Sequence, residues 1–131
     1  MERSESQITT FAWGKNKEGE LSQGYSKNVQ LPSSIKRLKN KPLLMVASGG
    51  QHSSAIDIHG KLYSCGCYLH GKLGIEGLST VTVPVFTPVQ SLRDKRAKQV
   101  ACGDYHTLCL LEDGSVFTWG GTLHKLSLIH I

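Results

Sequence analysis

The sequence predicts an all-β protein made of repeated, short antiparallel strands, organised as a partial β-propeller. Three observations predict it. Val46-Ala47-Ser48-Gly49-Gly50-Gln51-His52-Ser53 returns as Val100-Ala101-Cys102-Gly103-Asp104-Tyr105-His106-Thr107, 54 residues later. At the same shift, His59-Gly60-Lys61-Leu62-Tyr63-Ser64-Cys65-Gly66 returns as Asp113-Gly114-Ser115-Val116-Phe117-Thr118-Trp119-Gly120. From Phe11 onward, short apolar runs alternate with glycine-rich turns, and no stretch sustains apolar residues at helical spacing. A period of roughly 50 residues marks architectures in which each unit needs neighbours to cover its apolar faces.

The elements follow in order. Residues 1–10 are polar and read as a flexible leader. A strand then ends at Trp13-Gly14, and the loop after it, Lys15-Asn16-Lys17-Glu18-Gly19-Glu20-Leu21, returns 52 residues later as Cys67-Tyr68-Leu69-His70-Gly71-Lys72-Leu73. Strands are expected over residues 44–47, 53–58 and 61–64, and in the second copy over 99–102, 106–111 and 116–119. Gly49-Gly50 and Gly103-Asp104 turn the chain tightly, and Gly66 and Gly120 end the third strand of each copy. Asp113-Gly114, and His59-Gly60 likewise, read as two-residue type I′ hairpin turns. A fourth, outer strand is expected around Pro32 to Leu38 and Pro88 to Leu92, because proline is tolerated at a sheet edge. Four such strands form one blade, so about two four-stranded antiparallel blades are expected. The chain divides into the leader 1–10, repeat unit 11–64 and repeat unit 65–121. Residues 122–131 read as a truncated start of a further repeat or a non-native tail, since Leu128-Ile129-His130-Ile131 fits no repeat.

At 131 residues, 39% hydrophobic and 19% charged, the composition is that of an ordinary globular chain. It holds no run of 18 apolar residues and no apolar signal core at its start, so the expected setting is intracellular, cytoplasmic or nuclear, without a membrane. Cys65, Cys67, Cys102 and Cys109 are then expected as thiols. The net charge of +5 is less informative than its placement. Lys36, Arg37, Lys39 and Lys41 form one basic cluster; Arg93, Lys95, Arg96 and Lys98 form another, with Leu38 and Leu92 related by the 54-residue shift. Both clusters therefore fall in one slot of the repeat and should build a positive rim suited to an acidic surface or phosphate. Neither cluster holds an aromatic residue to stack on bases, so sequence-specific nucleic-acid recognition is not supported.

Neither copy offers a consistent catalytic group. Cys65, Cys67 and His70, or Cys102, His106 and Cys109, could be drawn as zinc ligands, but no CxxC pair occurs. The second set also falls on slots that hold Ser48, His52 and Ala55 in the other copy. No metal, no cofactor and no enzymatic activity are expected. His52 and His106 are expected to hydrogen-bond a loop backbone and lock the turn before them. Trp13 and Trp119 share one aromatic slot with Cys65 and are expected to pack within or between blades.

These residues resemble the regulator of chromosome condensation family. The resemblance is carried by Ala101-Cys102-Gly103-Asp104-Tyr105-His106-Thr107-Leu108, by Asp113-Gly114 through Trp119-Gly120, and by Trp13-Gly14-Lys15-Asn16 through Leu21. It departs from the family pattern at Cys65-Gly66-Cys67, where Trp-Gly-x-Asn is expected, and at Leu21-Ser22-Gln23-Gly24, where Leu-Gly-x-Gly is expected. The resemblance implies a seven-bladed propeller, of which this chain is long enough for only part. It implies a protein-protein interaction scaffold whose loop rims bind a protein partner. It also implies two alternatives: guanine-nucleotide exchange on a Ran-like small GTPase, with chromatin association, or regulation of a larger ubiquitin ligase or kinase.

Overall fold

Alternating side chains interrupted by glycine and proline give nine strands among residues 8–77 and 80–121, which the computed structural model describes. They are β1 (Phe11–Gly14), β2 (Val29–Ser34), β3 (Leu43–Ser48), β4 (His52–Asp57), β5 (Leu62–Cys67), β6 (Thr82–Pro88), β7 (Ala97–Cys102), β8 (His106–Leu111) and β9 (Val116–Gly120). All pairings are antiparallel, in sheets ordered β1-β2, β3-β4-β5-β6 and β7-β8-β9. The middle sheet is a complete four-stranded blade, and its neighbours are a last-two-strand and a first-three-strand portion of the flanking blades. No helix among the described residues is long and apolar enough to cross a membrane. Of the expected leader, residues 8–10 are held by Asn40 N–H on the Ile8 carbonyl and Ile35 N–H on the Thr10 carbonyl. The expectation for residues 122–131 falls outside the described residues.

Two local expectations are corrected. The outer strands lie earlier than the prolines suggested, at Val29–Ser34 and Thr82–Pro88, and the segments Lys36–Leu38 and Gln90–Leu92 are 3-10 turns. Pro32, Pro84 and Pro88 do sit on edge strands, where no ladder donor is lost, but inside or at the end of the strand. The hairpins also differ. Gly60 and Gly114 have φ of 80° and 91°, while His59 and Asp113 are absent from the positive-φ residues. Gly60 N–H bonds the Asp57 carbonyl and Gly114 N–H bonds the Leu111 carbonyl, so each link is a type I turn closed by a left-handed glycine bulge. Asp57 Oδ1 accepts the N–H groups of His59 and Lys61, which fixes the first turn without a second positive φ.

The period-two alternation assigns each blade face to one neighbour. On the complete blade, Ala55, Tyr63 and Cys65 join Ile35 and Leu38 in a core shared with the preceding sheet, with Phe86. Ile56 and Leu62 point the other way into a core with Val100, Cys109, Leu111 and Trp119 of the following sheet. Burying each of the Ile, Leu, Val and Phe side chains contributes about 1.5–3 kcal/mol. The same alternation leaves the outermost faces uncovered. Phe11 is 54% and Trp13 58% exposed at one end, and Leu108 is 40% exposed at the other. Trp13 therefore does not pack as Trp119 does, since no sheet among the described residues covers its face. An isolated polypeptide of these residues is expected to self-associate through these faces. Light scattering across a concentration series should show growth in mass, and a concentration-independent monomer would count against it.

Candidate interaction surface

The topology sorts the loops into two rims. One rim carries the β1–β2 and β5–β6 loops and the tight turns before His52 and His106. The other carries the 3-10 turns Lys36–Leu38 and Gln90–Leu92 and the β4–β5 and β8–β9 hairpins. Side chains that repeat between copies converge on the first rim, where they join blades.

Lys72 supplies the joint between the complete blade and the sheet after it. Its carbonyl accepts Trp119 Nε1–H at 3.1 Å and Thr107 Oγ1–H at 2.8 Å, both buried. Fifty-two residues earlier, the Glu20 carbonyl accepts Ser53 Oγ–H at 2.8 Å and lies 3.5 Å from Cys65 Sγ. The joint is the same with different donors. The loop that presents Glu20 is organised by buried Asn16, whose side chain bonds the Tyr25 and Lys27 carbonyls and the Leu21 N–H. Sequence reasoning quoted Asn16 but gave it no role; its equivalent is Tyr68, and there the loop instead makes a short 3-10 turn containing His70 at φ 67°. The joint carbonyls were missed entirely, because a backbone acceptor leaves no trace in residue identity.

His52 has a side-chain partner as well. Its Nε2 lies 2.8 Å from Thr107 Oγ1, on the next sheet. Since the Thr107 proton goes to the Lys72 carbonyl, Nε2 is the donor of this bond and Nδ1 is bare. Nδ1 is buried without a partner. Burial first, then the nearby Lys72 ammonium, pulls the imidazole pKa down to about 4. His106, lacking a following blade among the described residues, is exposed. Both imidazoles lie over a glycine: a Cβ on Gly49 would sit 2.6 Å from His52 Cε1. Gly103 is equally tight beneath His106, and Gly66 (φ 114°) and Gly120 (φ 96°) are pressed onto the residues before each histidine. Burial raises the Cys65, Cys102 and Cys109 thiols, Cys109 to about 12, so they stay protonated. Cys109 points into the joint with the complete blade while His106 points away from it.

The second rim receives both basic clusters, at equivalent positions after the outer strand. Lys36, Arg37, Lys39, Arg93, Lys95, Arg96 and Lys98 are exposed. Lys41 is not a free rim cation: it is half-buried, donates to Tyr63 OH at 3.1 Å and lies 5.1 Å from that ring's centre. Tyr63 OH in turn donates to Asp57 Oδ2 at 3.2 Å. Arg96 Nε donates to Glu112 Oε2 at 3.2 Å, and Arg93 Nε lies 3.9 Å from Asp94 Oδ2. That leaves Lys36, Arg37, Lys39, Lys95 and Lys98 without an ion-pair partner among the described residues. An open cavity of about 300 Å³ between Asp94, Lys95, Arg96, Leu111, Glu112 and Asp113 lies on this rim.

Comparisons with known proteins agree with this architecture. The model of the regulator of chromosome condensation (RCC1) repeat matches residues 9–56 and 59–110. The chain is similar to rat "Probable E3 ubiquitin-protein ligase HERC4", 36% identical over 111 residues, covering 84% of this chain and 10% of that protein. It is also similar to human E3 ubiquitin-protein ligase HERC2, 34% identical over 112 residues, covering 84% of this chain and 2% of that one. This chain thus spans a tenth or less of these relatives. Among solved structures, human WBSCR16 superposes with a TM-score of 0.81 at 19% identity, over 94% of this chain and 33% of that one. Yeast RCC1 (Prp20), solved bound to Kap60, gives 0.76 at 23% identity, over 86% and 28%. The repeats, the joints between them and the match over both copies establish that this chain belongs to the regulator of chromosome condensation (RCC1) repeat family.

Proposed function

We propose that this segment is a non-catalytic, protein-binding part of a propeller that regulates a larger protein, with its loop rims as the contact surface. One observation carries the reading: the repeated polar side chains are consumed by blade joints. His52 Nε2, Ser53 Oγ, Thr107 Oγ1 and Trp119 Nε1 all form their hydrogen bonds there. What differs between copies lies in the loops, where a scaffold places its recognition. The similarity to ubiquitin-protein ligases supports a role in bringing partners or substrates to a linked ligase domain.

The test is photo-crosslinking from the full-length protein in cells, with a photoreactive residue at Arg37 or Tyr105 on the rims, or at buried Ile56 as a control. Discrete protein adducts from the rim positions alone are expected. Equal adducts from Ile56, or stimulated GDP release from a Ran-like GTPase by the same protein, would overturn the reading in favour of no interface or of nucleotide exchange.

A further inference from the structure

The two rims differ in charge. On the rim of 3-10 turns and hairpins lie nine cationic side chains, the eight of the two clusters and Lys61, against the four carboxylates Asp57, Asp94, Glu112 and Asp113. The opposite rim carries Lys15, Lys17, Lys27 and Lys72 against Glu18, Glu20, Glu76 and Asp104. Among the described residues the first rim is therefore five charges positive and the second neutral, so their whole net positive charge resides at one end of the propeller axis. The neutral end instead shows exposed Tyr25, Leu69, Val81 and Tyr105.

Resting on the interaction reading above, we propose that the basic rim is the docking surface for an acidic polypeptide segment that runs across successive blades. Charge complementarity selects the sign, and three features select the polymer. The unpaired cations fall into one group before β3 (Lys36, Arg37, Lys39) and another flanking the start of β7 (Lys95, Lys98), recurring with the repeat. A chain with spaced carboxylates can meet them in turn, and the second contact then forms at high effective concentration. Carboxylates are interleaved with these cations, and Glu112 already occupies Arg96. That pattern repels the continuous charge of a nucleic-acid backbone more than it does discrete side chains. The rim's one tyrosine, Tyr63, is 2% exposed and bound to Lys41 and Asp57, so its ring is not offered to a base. The cavity of about 300 Å³ beside Lys95 and Arg96 has room for a side chain of such a segment.

The experiment uses fluorescence anisotropy on the full-length protein. Its probes are a dodecapeptide alternating glutamate and glycine, its glutamine counterpart, an oligothymidylate of equal length, and phosphatidylserine-phosphatidylcholine vesicles. Charge-reversal variants are Lys36→Glu with Lys39→Glu, Lys95→Glu with Lys98→Glu, and all four together. Lys15→Glu with Lys17→Glu on the neutral rim changes net charge as much as either double variant and serves as the control for them. Binding of the glutamate peptide alone is expected, weakened at least about tenfold by the fourfold variant, with a flatter salt dependence, and hardly changed by the control. Equal loss in the control, tighter binding of oligothymidylate or vesicles, or no binding of the peptide would overturn the proposal. Crosslinks from position 37 that persist in the fourfold variant would leave the interaction reading standing while this inference fails; absence of all rim crosslinks in the wild type would end both.

Discussion

Cys65→Trp, introduced alone, is expected to destabilise the propeller by roughly 1–3 kcal/mol, while the same change with Ser22→Gly recovers most of that loss. The reason lies in the joint the structure shows twice. Trp119 lies directly over Gly74, where an added Cβ would stand 2.8 Å from Nε1 and 3.1 Å from Cε2. Ser22 occupies the equivalent position 52 residues earlier, at φ 56°, and faces Cys65 instead of an indole. The small thiol and the extra hydroxymethyl group are thus two halves of one exchange. Ser22 Oγ has acquired work of its own, accepting the Phe86 N–H at 2.7 Å in a buried bond. Ser22→Gly alone should therefore cost about 1 kcal/mol for that acceptor, besides a gap beside Cys65. Denaturant midpoints of the two single variants and the double variant of the full-length protein supply the cycle. A coupling energy indistinguishable from zero would show that the two departures from the repeat are unrelated.

Acid should loosen the joint between the complete blade and its successor. His52 is neutral in the folded state with its pKa lowered to about 4, against 6.5 when unfolded. Below pH 6.5 the unfolded chain takes up the proton and the folded chain does not, so the contribution is fully present above 6.5 and is lost as pH falls toward 4. The difference corresponds to about 3 kcal/mol. Geometry agrees: a proton on Nδ1 would be buried without an acceptor, with the Lys72 ammonium close by and His106 on the next turn. The unfolding free energy of the full-length protein between pH 7.5 and 4 should show this slope relative to His52→Gln, which keeps a donor for Thr107. His106→Ala, at an exposed site, should retain the slope. An identical profile for wild type and His52→Gln would refute the assignment.

Much of the fold was legible because it rests on patterns that repeat. β8 was expected at its observed bounds, and the glycines at 49, 66, 103 and 120 mark contacts that no Cβ could enter. The outer strands were misplaced since proline reads as a boundary from sequence, while on an edge strand it costs nothing and can stand within. The hairpin type was missed because Asp-Gly is compatible with two turns, and the Asp57 side chain decides between them through bonds invisible at the level of dipeptides. Of the basic slot, position was legible and availability was not. Lys41 looks like its neighbours until Tyr63 and Asp57 are folded against it, and Arg96 until Glu112 arrives from a hairpin 16 residues away. Buried Lys72 is the sharpest case: a lysine reads as solvent-facing, yet it is 1% exposed, its ammonium over Tyr105 and its carbonyl holding the next blade.

That the blades are joined through the carbonyls of Glu20 and Lys72 has an evolutionary consequence. An acceptor that belongs to the main chain is retained under every substitution, which is why residues of opposite charge serve the same joint in adjacent copies. Only the donors must be kept, and hydroxyl, thiol and indole all qualify. The loops are therefore free to diversify their side chains for recognition without unfastening the ring, and recognition can drift far while the architecture stays put.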